Sequence, residues 1–311
     1  MHSEYAVEPA AIGADWETFR YLIEKFGLDR GRLISRLPEK WEMEVIHAAK
    51  ELGMPEIRLA SMVEKLRSTN KLRVVDFGRN YYAKNSWVEN ALREHAARAF
   101  RAIIFAGEQK PCGEALCAND CSEDDSLFDA PISRDISRTA SDISDALFPL
   151  ATTAHEIDIV DPFFDLRPGK GDFLNPIASL LGKLSASGSP GKVIRIHFRT
   201  HGSRPPDNIL LRDAPRQTNG VIPAGFVLQL NEWDEIPGSE DFHDRFFLTD
   251  TGGLMIGAGL SAEGSTETAT FTLLDDSHAQ ALRSRFAVNS TVYARVGSAV
   301  QIDSDGNASF I

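Results

Sequence analysis

The stretch His243-Asp244-Arg245-Phe246-Phe247-Leu248-Thr249-Asp250 combines the residue types that handle a phosphate ester. In an extended segment, side chains i and i+2 share a face, so His243 and Arg245 project together while Asp244 and Phe246 point the other way. A neutral imidazole attacks phosphorus or shuttles a proton. A guanidinium beside it holds two phosphate oxygens at once. Asp250, past the end of the strand, is placed to orient a donor. A second basic stretch lies upstream. From Lys192 to Arg216 there are six basic residues against two acids, with His197 and His201 among them. Strict alternation in KVIRIHFRT puts Arg195, His197 and Arg199 on one strand face and Ile194, Ile196 and Phe198 on the other. That basic face suits a phosphate-bearing ligand, and His201 is a candidate for a second acid/base group. Asp161 ends the strand EIDIVDPFF, where open sheets place their ligands. Asp234 and Glu235 follow the strand GFVLQLNEW, and the spacing leaves open whether they border the same edge.

These residues sit in a region where strands and helices alternate. EIDIVDPFF, KVIRIHFRT, GFVLQLNEW, the pair DFHDRFFLTD and GLMIGAGLS joined at Thr251-Gly252-Gly253, and ATFTLLD read as strands. FLNPIASLLGKL and SHAQALRSRFAV read as helices, the first with Pro176 in its first turn. The expected class is α/β, a sandwich with a mixed sheet. Residues 1–110 are read as a mainly helical module, from Phe19, Leu22, Ile23 and Phe26, from Val45, Ile46, Ala49 and Leu52, and from a start signal at Asn85 or Ser86. LRVVDF and FRAIIFA are short apolar runs compatible with buried strands. Residues 111–138 are read as an acidic, cysteine-containing surface linker. Seven acids face two arginines between Cys121 and Asp145. Cys112, Cys117 and Cys121 have metal-like closeness, but zinc normally takes four ligands, and the fourth would be Asp120, Glu123 or a distant histidine. Free thiols on a flexible acidic loop are therefore expected, and a metal site is the alternative.

His243-x-Arg245-x4-Asp250, followed by Gly257-Ala258-Gly259, resembles the HxKx4D motif of the phospholipase D superfamily. The approach ALFPLATTAHEIDIVDPFFD is similar to the opening of phospholipase D-like domains at the C-terminus of MIT-domain proteins and in bacterial conflict systems. The resemblance spans roughly 140–290 and implies a phospholipase D-like domain over 139–311. It implies that His243 is the nucleophile, that Arg245 clamps the phosphate, and that Asp250 orients the site. Gly257 and Gly259 join Asp161, Arg195, His197, Arg199 and His201 as substrate-binding residues. Arginine replaces the family's lysine, and Ala258 and Leu260 stand where a serine and an asparagine are usual. The superfamily uses two such motifs per site, one histidine forming a phosphohistidine and the other protonating the leaving group. One copy therefore implies a symmetric homodimer or a site without catalysis. This chemistry requires no cofactor.

Composition bounds the partners. The 311 residues carry 33 Lys+Arg against 45 Asp+Glu, a net charge of −12, which excludes a nonspecific basic nucleic-acid coat. With 42% hydrophobic and 25% charged residues the chain has a globular composition. No apolar run is long enough for a membrane span. The N-terminus lacks the pattern of a signal peptide, so the cytoplasm is the expected compartment. The expected function is phosphodiester chemistry as a nuclease or phosphodiesterase of a bacterial defence system. Nucleic acid is favoured over phospholipid because no apolar interfacial helix is present. Two alternatives are a non-catalytic scaffold that binds phosphate ligands or partner proteins in a defence assembly, and a phosphoinositide-binding module.

Overall fold

The computed structural model describes residues 1–204 and 206–311. The chain divides into two compact units, residues 2–132 and residues 133–311, the latter together with Met1. Both are α/β.

The first unit is not the mainly helical module expected from its sequence. It holds a five-stranded parallel sheet, β1 (Ser3–Val7), β2 (Arg32–Ser35), β3 (Val74–Val75), β4 (Ala102–Phe105) and β5 (Ala115–Cys117), in the order β3-β2-β1-β4-β5. Strands this short, buried on both faces, carry no polar alternation to reveal them. Five helices accompany them: α1 (Pro9–Gly13), α2 (Trp16–Lys25), α3 (Trp41–Glu51), α4 (Glu56–Arg73) and α5 (Trp87–Ala97). Asp15 caps α2 by accepting from the backbone of Glu17 and Thr18, and Ser86 with Glu89 forms a capping box on α5. The core gathers Tyr5, Phe19, Phe26, Trp41 and Val45, all fully buried. The Trp41 indole donates to the Val7 carbonyl at 2.6 Å, tying α3 to the end of β1.

Residues 111–132 are part of this unit rather than a linker. β5 extends the sheet, and Leu116, Ala118, Cys121 and Phe128 join the core. The Phe128 carbonyl accepts from Tyr5 Oη at 3.0 Å and from Arg32 Nε at 2.8 Å. The acids of this stretch face solvent while its few apolar side chains reach inward, which is how a polar sequence becomes part of a core.

The second unit is built on a ten-stranded mixed sheet. Its strands are β6 (Ser133–Arg138), β7 (Glu156–Val160), β8 (Val193–Arg199), β9 (Val227–Glu235), β10 (Phe246–Thr249), β11 (Gly252–Ile256), β12 (Gly264–Leu274), β13 (Tyr293–Arg295), β14 (Val300–Asp303) and β15 (Ala308–Phe310). The order is β15-β14-β9-β8-β7-β10-β11-β12-β6, with β13 also on β9. The centre, β7, β8 and β9, is parallel. β10 runs antiparallel to β7 and turns into β11. Helices α6 (Ala140–Thr153), α7 (Leu174–Ala186), α8 (Asp207–Gln217) and α9 (Asp276–Ser284) complete the unit. Alternation along the central strands sends Ile157, Ile159, Ile194 and Ile196 to one face, where they are buried. Glu156, Asp158, Arg195 and His197 take the other face. Residues 133–138, the end of the expected linker, form the edge strand β6.

Candidate phosphate site at the carboxyl edge of the central strands

β7 ends at Asp161-Pro162-Phe163, and the chain turns there because Asp161 Oδ1 accepts from the Phe163 backbone at 3.0 Å. Asp161 is 1% exposed. Its other oxygen accepts from the Leu260 backbone at 3.3 Å, and Arg245 Nε stands 3.9 Å from Oδ1. Burial raises its carboxyl above the usual range, against the backbone donors and the Arg245 and Arg204 charges. Arg245 Nη1 donates to the Gly257 carbonyl at 3.2 Å, and its guanidinium lies 4.8 Å above the Phe163 ring. Gly259 makes this packing feasible. Its φ is +83°, and a Cβ there would stand 2.6 Å from Asp161 Oδ2 and 3.0 Å from Arg245 Cδ. Four of the residues singled out in the sequence, Asp161, Arg245, Gly257 and Gly259, therefore converge.

His243 and Arg245 lie just ahead of β10, which begins at Phe246. The preceding Phe242 is buried and stacks near Phe286 and Tyr293, at 5.3 and 4.9 Å. Its backbone donates to Glu235 Oε1 at 2.9 Å, and Arg199 Nη1 donates to the same oxygen at 3.2 Å. The backbone before His243 is thus anchored while the imidazole stays in solvent, its side chain 57% exposed and Nε2 3.8 Å from Asp241. Glu235 borders this edge, which its place in the sequence left undecided. Asp234 turns back to accept from the Glu235 backbone at 2.9 Å.

Beside this cluster opens a cleft of about 240 Å³ whose wall includes Phe163, Arg167, Lys170, Arg199, His201 and Arg204. His201 Nδ1 and Ser203 Oγ share a hydrogen bond at 2.8 Å. Arg167 pairs with Asp165 at 2.6 Å. Among the described residues Arg204 has no carboxylate in hydrogen-bond contact; it donates to the carbonyls of Arg199 at 2.9 Å, Pro162 at 3.1 Å and Phe164. The cleft wall carries four cationic side chains, Arg167, Lys170, Arg199 and Arg204, against one carboxylate, Asp165, in a protein whose net charge is −12. Arg167 and Lys170 were not singled out in the sequence, Arg204 counted there only as one of the six basic residues of 192–216, and Phe163 only as part of DPFF; all four lie in loops.

Three expected site residues lie elsewhere. Asp250 is at the opposite end of β10, where its Oδ1 accepts from the backbones of His155 and Glu156 at 2.8 and 3.3 Å. It starts β7 and does not orient His243. Arg195 and His197 do not form a free basic face, because the neighbouring strand and α9 supply their counter-groups. Arg195 donates to Glu156 at 2.8 Å and lies 3.3 Å from Asp158. The Trp233 indole donates to His197 Nδ1 at 3.0 Å, which leaves the imidazole proton on Nε2, 3.0 Å from Asp158 Oδ1. Arg283 of α9 reaches Asp158 at 2.5 Å and Glu156. Burial opposes ionisation of Asp158, yet the His197 hydrogen bond and the Arg283 guanidinium outweigh it and hold the carboxyl well below the usual range. A cleft of about 540 Å³ lies over this network. The alternation of Glu156 and Asp158 in the buried strand EIDIV was the available signal: acids on a central strand demand partners.

The cysteines do not gather into a ligand set. Cys121 is buried, its thiol 3.5 Å from the Cys117 carbonyl, and burial pushes it up to about 12. Among the described residues no three His, Cys, Asp or Glu side chains are placed to hold a metal ion together. Among the described residues no helix is long and apolar enough to cross a membrane.

No family model matches the chain, and no curated protein matches it. Among solved structures it matches TrmBL2, an archaeal chromatin protein whose structure shows a novel mode of DNA binding. The match has 14% identity and a TM-score of 0.27, and covers 51% of this chain and 52% of that one. The chain thus spans about half the length of that protein. A likeness of this degree bears on neither fold nor activity.

Proposed function

We propose that the second unit is a phospholipase D-like domain that takes a phosphodiester, nucleic acid in preference to phospholipid, at the carboxyl edge of β7, β8 and β9. One observation carries the reading. Arg245 is packed between Asp161 and Gly257–Gly259, two residues after a solvent-facing His243 and next to a cleft with excess positive charge. In the catalytic form of this function, His243 attacks phosphorus and Arg245 with Arg199 holds the non-bridging oxygens. The phosphorus–oxygen bond to the leaving group then breaks. The leaving oxygen needs a proton, and a single copy of the motif supplies it only if a second subunit brings its own histidine, in a homodimer. The resemblance to conflict-system proteins supports a role in bacterial defence, beside other proteins of such a system.

Binding without turnover is the second reading. It is favoured by the His243 ring, which no hydrogen bond orients among the described residues, and by Asp250, which stands at the far end of the strand. The two separate in one experiment. Full-length protein is assayed on bis(p-nitrophenyl) phosphate and on single- and double-stranded oligonucleotides, with sedimentation equilibrium alongside. Catalysis requires a dimer whose hydrolysis falls by at least about 10²-fold in His243→Ala, the scale of a lost catalytic proton-transfer group. Full activity in that variant removes the catalytic reading. Retained oligonucleotide binding with no turnover in either protein establishes the second.

A further inference from the structure

Phe163 is a large aromatic side chain left 48% exposed at the lip of a polar, cationic cleft. Its neighbour Phe164 is buried, so the DPFF turn spends one ring on the core and offers the other to solvent. One side of the offered ring is covered by the Arg245 guanidinium at 4.8 Å. An aromatic ring stiffened by a cation, beside a phosphate clamp, matches the pairing of stacking platform and basic groove by which proteins hold unpaired bases. In a duplex the base faces are already stacked on one another and unavailable.

We infer that the site takes single-stranded nucleic acid, with the base next to the bound phosphate stacked on Phe163. The inference rests on the phosphodiester reading above and adds its substrate class. Phe163 acts as a specificity residue: it contacts a base and takes no part in bond breaking. An anionic membrane surface is the poorer occupant, since it presents headgroup phosphates without the base face that the exposed Phe163 ring matches.

The test is fluorescence anisotropy on the full-length protein with an oligonucleotide of about 12 nucleotides, inside the usual footprint of such sites. The ligands are the intact strand, its duplex, and the same strand with abasic sites. The intact strand is expected to bind about tenfold more tightly than either, the scale of one base–aromatic stack. Phe163→Ala is expected to lose that factor on the intact strand and leave the abasic strand unchanged, while Phe163→Tyr keeps it. Equal loss on intact and abasic strands overturns the stacking role. Duplex binding as tight as single-strand binding, weakened by Arg245→Ala and untouched by Phe163→Ala, overturns the single-strand inference and leaves the phosphodiester reading standing. No binding of any nucleic acid, with Phe163-dependent sedimentation on phosphoinositide vesicles, overturns both.

Discussion

Strands β7, β8 and β9 carry two polar regions that treat their charges in opposite ways. On the sheet face under α9, Glu156, Asp158, Arg195, His197 and Arg283 answer one another, and every one has a named partner within 3.3 Å. At the carboxyl edge a few residues further along, Arg245 sits 3.9 Å from its nearest carboxylate, Arg204 reaches only carbonyls, and His243 faces water. A closed network spends its electrostatics on holding the sheet to a helix. An open one keeps charge available for a ligand. The difference teaches where to look: the more conspicuous basic alternation, Arg195-x-His197, belongs to the closed region, and the loops supply the open one.

The largest test of the contrast is removal of the shared acid. Asp158→Ala leaves the buried His197 donor without its acceptor and leaves Arg283 and Arg195 with Glu156 as their one remaining carboxylate. Breaking a buried pair from one side costs about 3–5 kcal/mol. Chemical denaturation should show a loss of that size, and loss of α9 from the sheet should appear as raised amide exchange over 276–284. A change below about 1 kcal/mol, the range of an exposed pair, would show that the network is held by packing alone. Gly259→Ala is the matching test at the edge. A left-handed φ costs a residue with a Cβ about 1–2 kcal/mol, and here the Cβ also collides with Asp161 and Arg245. Stability should fall by about 2 kcal/mol, and phosphate-ligand affinity should fall further than it does in Asp158 variants that still fold.

The two regions also differ in their response to acid. Asp158 is held below the usual carboxylate range, so it stabilises the fold at neutral pH, and that contribution disappears as pH falls through and below about 4. Asp161 is raised by burial, so the folded chain holds its proton more firmly than the unfolded chain does. Its contribution is complete below the unfolded value and is lost as pH rises through the folded one. Denaturation midpoints measured from pH 7 to pH 3 should therefore flatten in Asp158→Asn and steepen in Asp161→Asn. Parallel profiles in the two variants would mean that the acids share one environment.

Much of the second unit was legible because its signals are local. EIDIVDPFF, KVIRIHFRT and the HDRF stretch announce strands by alternation or by apolar runs, and the two glycines after β11 announce a close approach that the structure contains. In the first unit the apolar runs LRVVDF and FRAIIFA do hold β3 and β4, but β1, β2 and β5 went unseen because they are three to five residues long and lie beside strong helical patterns. Helix α8 and the strands after residue 292 gave too little period to be seen. At the site, proximity in sequence conveyed Arg245, Gly257 and Gly259 but not Arg204 or Lys170, whose role depends on how loops return to the sheet edge. The spacing of Arg195 and His197 on a strand face was correct. What lay across from them, Glu156 and Asp158, is decided by the parallel pairing of β7 with β8, which no single strand reports.

Asp250 offers the finest discrimination, since the motif resemblance and the structure assign it different work. If it oriented His243, its removal would abolish the function of the edge site. In the structure it is separated from Arg245 by the whole of β10, about 16 Å at roughly 3.3 Å per residue. Its carboxylate serves the backbones of His155 and Glu156 and the His155 ring, 3.1 Å away. Removing the acceptor of one exposed and one partly buried N–H group costs about 1 kcal/mol. Asp250→Ala should therefore lower stability by that amount and leave oligonucleotide affinity within about twofold, as for sites that share no partner. A variant of normal stability that no longer binds would reverse the assignment. It would mean that the start of β7 and the carboxyl edge respond as one element, and that the separation of closed and open regions does not hold along β10.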